Sequence, residues 1–138
     1  MNKQDLTLLT DLYELTMMQG YYKKGQHETV VFDVFYRHNP CGNGYSVCAG
    51  LDQVIDYIKN LNFTYEDVDY LRSLHIFDDD FLQYLSGFHF TGDIYAIPEG
   101  SVVFPKEPLL KVIAPIMEAQ LVETAILNII NHQSLIAT

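Results

Sequence analysis

Apolar and polar positions change their spacing several times along the chain, and each change marks an element. From residue 11 the apolar side chains recur at helical intervals, predicting a helix from Asp11 to between Gly20 and Lys24. Thr10 or Asp11 is placed to cap it, Asp11 with Glu14 three residues on resembles a capping box, and Gly25 is a stop. "TVVFDVFYR" then reads as a strand from Thr29 to Arg37. Only Asp33 interrupts its apolar run, so cover is expected on both faces. "HNPCGNG" is a loop, and "YSVCAG" a short second strand. Residues 51, 54, 55, 58 and 61 give "LDQVIDYIKNL" the stripe of an amphipathic helix. Thr64 with Asp67 caps "YEDVDYLRSL", and "DDDFLQYLSG" is a further short helix with acids at its positive end.

Residues 88–115 read as three or four short strands separated by Gly and Pro turns. From Pro115 a long helix follows, whose polar residues Gln120, Thr124, Asn128 and Asn131 form one stripe. A helix this apolar should bury most of its circumference, and cover from a further domain is the expectation. The predicted fold class is α+β: a mainly antiparallel sheet with short covering helices and a long C-terminal helix. Residues 1–115 form the domain in this reading, and residues 116–138 the helix leading out of it.

Composition narrows the partners. Lys plus Arg number 8 against 18 for Asp plus Glu, a net charge of −10. So acidic a chain has little positive charge to displace counterions from nucleic acid. An anionic substrate would need a few placed cations. No stretch has the apolar length of a membrane span, and "MNKQDLTLL" lacks the pattern of a secretory signal. Two cysteines, Cys41 and Cys48, are too few for a disulfide framework, so a reduced, cytoplasmic chain is expected.

Candidate chemistry is sparse. In "RHNPCGNGYSVCAG" Gly42 and Gly44 would let backbone N–H groups approach a phosphate, with Arg37 as a fork of donors. The competing reading is a tight connection with Asn43-Gly44 as turn residues and Arg37 as a loop brace. His38, Cys41 and Cys48 match no zinc spacing, and no metal site is predicted. Asp78, Asp79 and Asp80 sit where a helix N-terminus explains them. His75 and His89 are expected to be structural, in apolar surroundings, and His132 lies near the last helix's polar stripe. Tyr13, Met17, Met18, Tyr21 and Tyr22 remain ambiguous between core and a surface held out for a ligand.

Four segments alter this picture. "LLTDLYELTMMQGYYKKG", "VVFDVFYRHNPCGNGYSVCAGL", "IPEGSVVFPKEPLLKV" and "QLVETAILNIINHQSLIAT" occur in order, and together they resemble nicotinate phosphoribosyltransferase. The resemblance implies an enzyme that joins nicotinate to phosphoribosyl pyrophosphate, forming nicotinate mononucleotide and pyrophosphate with coupled ATP hydrolysis. That is the entry step from nicotinate into NAD synthesis. ATP and Mg2+ are implied for the family, with neither expected bound to this chain alone. A homodimer is implied, with each active site between one subunit's α/β barrel and its neighbour's N-terminal domain.

This sequence stops before such a barrel, so the chain is expected to be inactive alone and no catalytic residue is assigned to it. Substrate binding is assigned to Tyr13, stacking on the pyridine ring in the neighbouring subunit, to Asp11, holding the helix start, and to Arg37, contacting a phosphate. A truncated, non-catalytic binding or dimerisation module is the alternative.

Overall fold

A computed structural model of the protein describes residues 5–138. The first helix, α1, runs Leu12–Lys24 and ends at Gly25, whose φ of 64° is the left-handed turn expected of a glycine stop. Strand β1 covers Thr29–Val34, and a single 3-10 turn at Pro40–Gly42 leads to β2, Ser46–Val47. Three helices follow: α2 Leu51–Asn60, α3 Tyr65–Ser73 and α4 Asp79–Ser86. Strands β3 Asp93–Ala96, β4 Val102–Val103 and β5 Leu110–Pro115 precede the 22-residue helix α5, Ile116–Ala137. The class is α+β, with every strand pair antiparallel, but the strands form two sheets: β1-β5-β3 and β2-β4.

The capping box at Thr64 and Asp67 forms in both directions, with Asp67 N–H donating to Thr64 Oγ1 at 3.2 Å and Thr64 N–H to Asp67 Oδ2 at 2.8 Å. The three aspartates at α4 are exposed, and two of them tie neighbouring helices together. Asp78 pairs with Lys23 of α1, and Arg72 of α3 lies 3.3 Å from Asp79. Phe81 of α4 is fully buried among Tyr22, Phe77 and Tyr84, with ring centroids 5.8–6.3 Å away. Burial of a side chain of that size contributes about 1.5–3 kcal/mol.

Strand β1 is shorter than its apolar run. Val34 pairs with Leu110, the first residue of β5, so residues 35–37 have no strand beside them. The chain turns there instead: Lys106 N–H donates to the Tyr36 carbonyl, and the Tyr36 hydroxyl donates to the Val103 carbonyl at 2.9 Å. Nor are both faces of β1 covered. Val30, Phe32 and Val34 face inward, whereas Val31 on the other face is 55% exposed, as is Tyr95 of β3 at 60%. The apolar run reflects a sheet with one bare face, not a sheet between two layers.

Helix α5 is the centre of the molecule. Six consecutive residues, Met117 to Val122, are buried, so the helix is enclosed on all sides there. Along its length α5 is packed by helices α1 and α2 and strands β1, β2 and β5, with β2 and the start of α2 against its far end. Among the described residues α5 is largely covered, and the large apolar side chains left exposed on it are Leu135 and Ile136. Its far end is tied to the second sheet's entry: Ala49 N–H donates to Ser134 Oγ at 3.1 Å, and Val47 N–H to Thr138 Oγ1 at 3.0 Å.

Several loop assignments change. Cys41 and Gly42 both take positive φ, 54° and 72°, while Asn43 is extended, so the turn precedes Asn43-Gly44. His75 and His89 are exposed, not set in apolar surroundings. His75 has a φ of 56° just past α3, where its N–H donates to the Arg72 carbonyl.

Candidate functional site

The first turn of α1 lies against α5, and the tyrosine and methionine run divides there. Leu15 and Met18 point into the core, and Tyr21 and Tyr22 pack partly against it. Tyr13 and Met17, one turn apart, are 51% and 40% exposed, and Leu9 and Leu12 extend the same bare apolar surface. One helix thus answers the ambiguity both ways.

Asp11 has the extended backbone of an N-cap, yet its side chain caps nothing in α1. The capping box read from Asp11 and Glu14 does not form. Glu14 turns inward and is fully buried, accepting a hydrogen bond from the Gln120 side-chain amide of α5. Thr124, one turn further along α5, sits between both acids. Its hydroxyl lies 3.4 Å from Glu14 Oε1 and 3.3 Å from Asp11 Oδ2, and it accepts from the Asp11 backbone N–H at 3.4 Å. Gln120 Nε2 also reaches Glu123 Oε2 at 3.4 Å. The polar stripe on α5 is accordingly half internal: Gln120 and Thr124 hold α1, while Asn128 and Asn131 face solvent.

Three carboxylates gather around Tyr13. The adjoining Glu14 carboxylate, first as hydrogen-bond acceptor and then as a charge, pushes the Tyr13 phenol up to about 12, with smaller contributions from Glu123 and Asp11. The phenol is therefore neutral at any physiological pH, a flat ring with its proton in place. Glu123 is raised from the ordinary carboxylate value by burial, then by the charges of Glu14 and Asp11.

A titration consequence follows for Glu123. The fold disfavours its charged form, so its contribution favours folding at low pH and is lost as pH rises through the raised value. Glu123→Gln is expected to melt at a higher temperature than the parent near neutral pH, with the gap closing as pH falls through the carboxylate range. Melting curves between about pH 4 and about pH 8 check this. A less stable variant at neutral pH would mean that the hydrogen bond from Gln120 outweighs the repulsion.

Beside the cluster, a groove of about 300 Å³ runs between β1 and α5, lined by Val31, Phe32, Val112, Val122 and Ile126 with Asp33 and Glu123. Its apolar walls and two acids suit an uncharged or cationic group, and not a phosphate. Arg37 lies apart from α1, in the exposed segment after β1, with no ion pair among the described residues. The structure thus brings Asp11 and Tyr13 together and leaves Arg37 on another element. It adds Glu14, which reads in the sequence as a cap partner, Gln120 and Thr124, which read as part of a polar stripe, and Glu123, to which the sequence assigns no role.

Cys48 is buried and burial raises its thiol above the usual value, the state of an inert small hydrophobe, while Cys41 is exposed. Among the described residues no His, Cys, Asp or Glu group is arranged to hold a metal ion. None of the described helices is long and apolar enough to cross a membrane.

Comparison with known proteins gives these features a family. The family model of the nicotinate phosphoribosyltransferase N-terminal domain matches residues 8–131. Nicotinate phosphoribosyltransferase pncB2 of Mycobacterium tuberculosis is 49% identical over 131 residues, covering 95% of this chain and 28% of the relative. The Bacillus subtilis nicotinate phosphoribosyltransferase is 48% identical over 134 residues, covering 96% of this chain and 27% of its own. The crystal structure of human nicotinic acid phosphoribosyltransferase superposes with a TM-score of 0.86 at 34% identity, over 94% of this chain and 27% of that one. This chain thus spans about a quarter of the length of these relatives. It belongs to the nicotinate phosphoribosyltransferase family, as that family's N-terminal domain.

Proposed function

We propose that this domain presents Tyr13 to the pyridine ring of nicotinate in an enzyme that condenses nicotinate with phosphoribosyl pyrophosphate. The products are nicotinate mononucleotide and pyrophosphate, with ATP hydrolysed alongside. The observation that carries this reading is a neutral, half-exposed aromatic ring on a helix turn whose inner side is fixed by a buried polar network.

A flat aromatic acid stacks on such a ring with little loss of side-chain freedom. Asp11, Glu14 and Glu123 repel the nicotinate carboxylate, which turns that group away from α1. As the ring nitrogen bonds to the ribosyl carbon, the pyridine becomes a pyridinium. An aromatic face and nearby carboxylates favour that developing positive charge over the neutral ring.

The bare apolar surface of Leu9, Leu12, Tyr13 and Met17 is assigned to contact with a second subunit, making the working form a homodimer. Phosphoribosyl pyrophosphate, ATP and Mg2+ are assigned chiefly to other parts of the full-length protein, with Arg37 contributing a contact to one phosphate. The cytoplasm is the compartment in this reading.

The experiment is substitution of Tyr13 in a full-length enzyme carrying this domain. Tyr13→Ala is expected to raise the KM for nicotinate roughly tenfold or more, on the scale of aromatic stacking on a nucleobase, while Tyr13→Phe keeps most of the affinity. A normal KM in Tyr13→Ala, accompanied only by a lower melting temperature, would make Tyr13 a packing residue and end this reading.

A further inference from the structure

We infer that Glu14, Gln120 and Thr124 form a positioning device for Tyr13, setting nicotinate affinity without touching nicotinate. The inference rests on the Tyr13 reading above and adds which residues aim the ring. Glu14 is fully buried, and its side chain meets uncharged partners, the Gln120 amide, the Thr124 hydroxyl and the Tyr13 phenol. Burying a carboxylate away from water costs several kcal/mol even after relaxation.

A leucine at position 14 would fill the space without that cost, as Leu15 and Met18 already do alongside it. Stability therefore does not account for the acid. Direction does. Apolar contacts between helices tolerate rotation and sliding, whereas hydrogen bonds between named atoms fix one rotation of α1 about its axis. Thr124 makes the same connection to Asp11 through both backbone and side chain. Tyr13 lies between the two tethered residues, so the direction in which its ring leaves the helix is set from both flanks.

The test uses the full-length enzyme and two conservative variants. Glu14→Gln replaces one acceptor oxygen with a donor facing donors, and Thr124→Val removes the shared hydroxyl at constant shape. Each is made alone and together with Tyr13→Ala, and KM is measured for nicotinate and for phosphoribosyl pyrophosphate. Each single variant is expected to raise the nicotinate KM roughly fivefold, the coupling typical of residues in one hydrogen-bonded network. The phosphoribosyl pyrophosphate KM should hold, and neither variant should add to the effect of Tyr13→Ala.

Equal rises in both KM values, or additive effects with Tyr13→Ala, would overturn the positioning role. So would unchanged nicotinate KM in both single variants while Tyr13→Ala raises it, an outcome that leaves the stacking reading intact. A normal KM in Tyr13→Ala itself removes the stacking reading and this inference with it. If Glu14→Gln fails to fold, Thr124→Val carries the comparison alone.

Discussion

Gly92→Ala is expected to be among the most damaging single-methyl changes in this chain. A Cβ at Gly92 would lie 2.4 Å from the Ala114 Cβ, 2.6 Å from the Ile113 carbonyl oxygen and 2.9 Å from the Phe90 ring. Two of those three atoms belong to β5, which pairs with β3 immediately after Gly92, Asp93 opposite Ile113. The methyl can be accommodated only by moving β3 off β5. Overpacking of this kind costs about 1–3 kcal/mol and more where backbone must shift, so a loss of about 3 kcal/mol is expected. The loosened strand also disturbs Thr91, whose N–H and hydroxyl both bond the buried Glu118 carboxylate. Urea unfolding should show a lower midpoint with an unchanged slope. Pairing the change with Ala114→Gly should recover little, because the carbonyl oxygen of Ile113 stays in place. Full recovery would show that the methyl contact alone mattered.

Gln120→Leu is expected to cost as much by a different route. It leaves the Glu14 carboxylate buried without its amide donor, with the long Thr124 contact and the half-exposed Tyr13 phenol as what remains. An orphaned buried polar group costs about 1–3 kcal/mol and a charged one more, so a loss of about 3 kcal/mol or greater is expected at neutral pH. Removing the acid as well should reverse most of it, since two apolar side chains of matching size can replace a buried polar pair almost without loss. The comparison of Gln120→Leu with the double variant Glu14→Leu/Gln120→Leu in urea decides the point. If the double variant is no more stable than the single one, Gln120 acts by packing and not by serving Glu14.

The accuracy of the sequence reading tracks how local each interaction is. Thr64 and Asp67 satisfy each other across three residues, and Gly25 needs only its own φ, so both were legible. Glu14 was not. At the third position of a helix an acid looks like a cap partner, and only the fold brings Gln120, more than a hundred residues on, to its carboxylate. A signal existed in retrospect: Glu14 shares the inward face of α1 with Met18, and Gln120 interrupts the most apolar stretch of α5. Two polar residues on buried faces of two helices are candidates for each other. The end of β1 at Val34 was equally invisible, because it depends on where β5 begins. The separation of β2 and β4 into their own sheet is likewise a matter of distant pairing.

Because α5 supplies the middle of the core, the order of synthesis and the order of folding conflict. Strand β1 emerges early, but its partner β5 and the helix against which it packs are the last elements of the described chain. At about 5–20 residues per second, the nascent polypeptide carries an unpaired edge and uncovered Phe32, Val34 and Met18 for several seconds. Contacts of such long sequence separation also close slowly. Much of this domain's exposure to aggregation and to chaperones should therefore fall before residue 116 is made, and a ribosome-bound chain arrested there is expected to be far more protease-sensitive than one arrested after α5 has cleared.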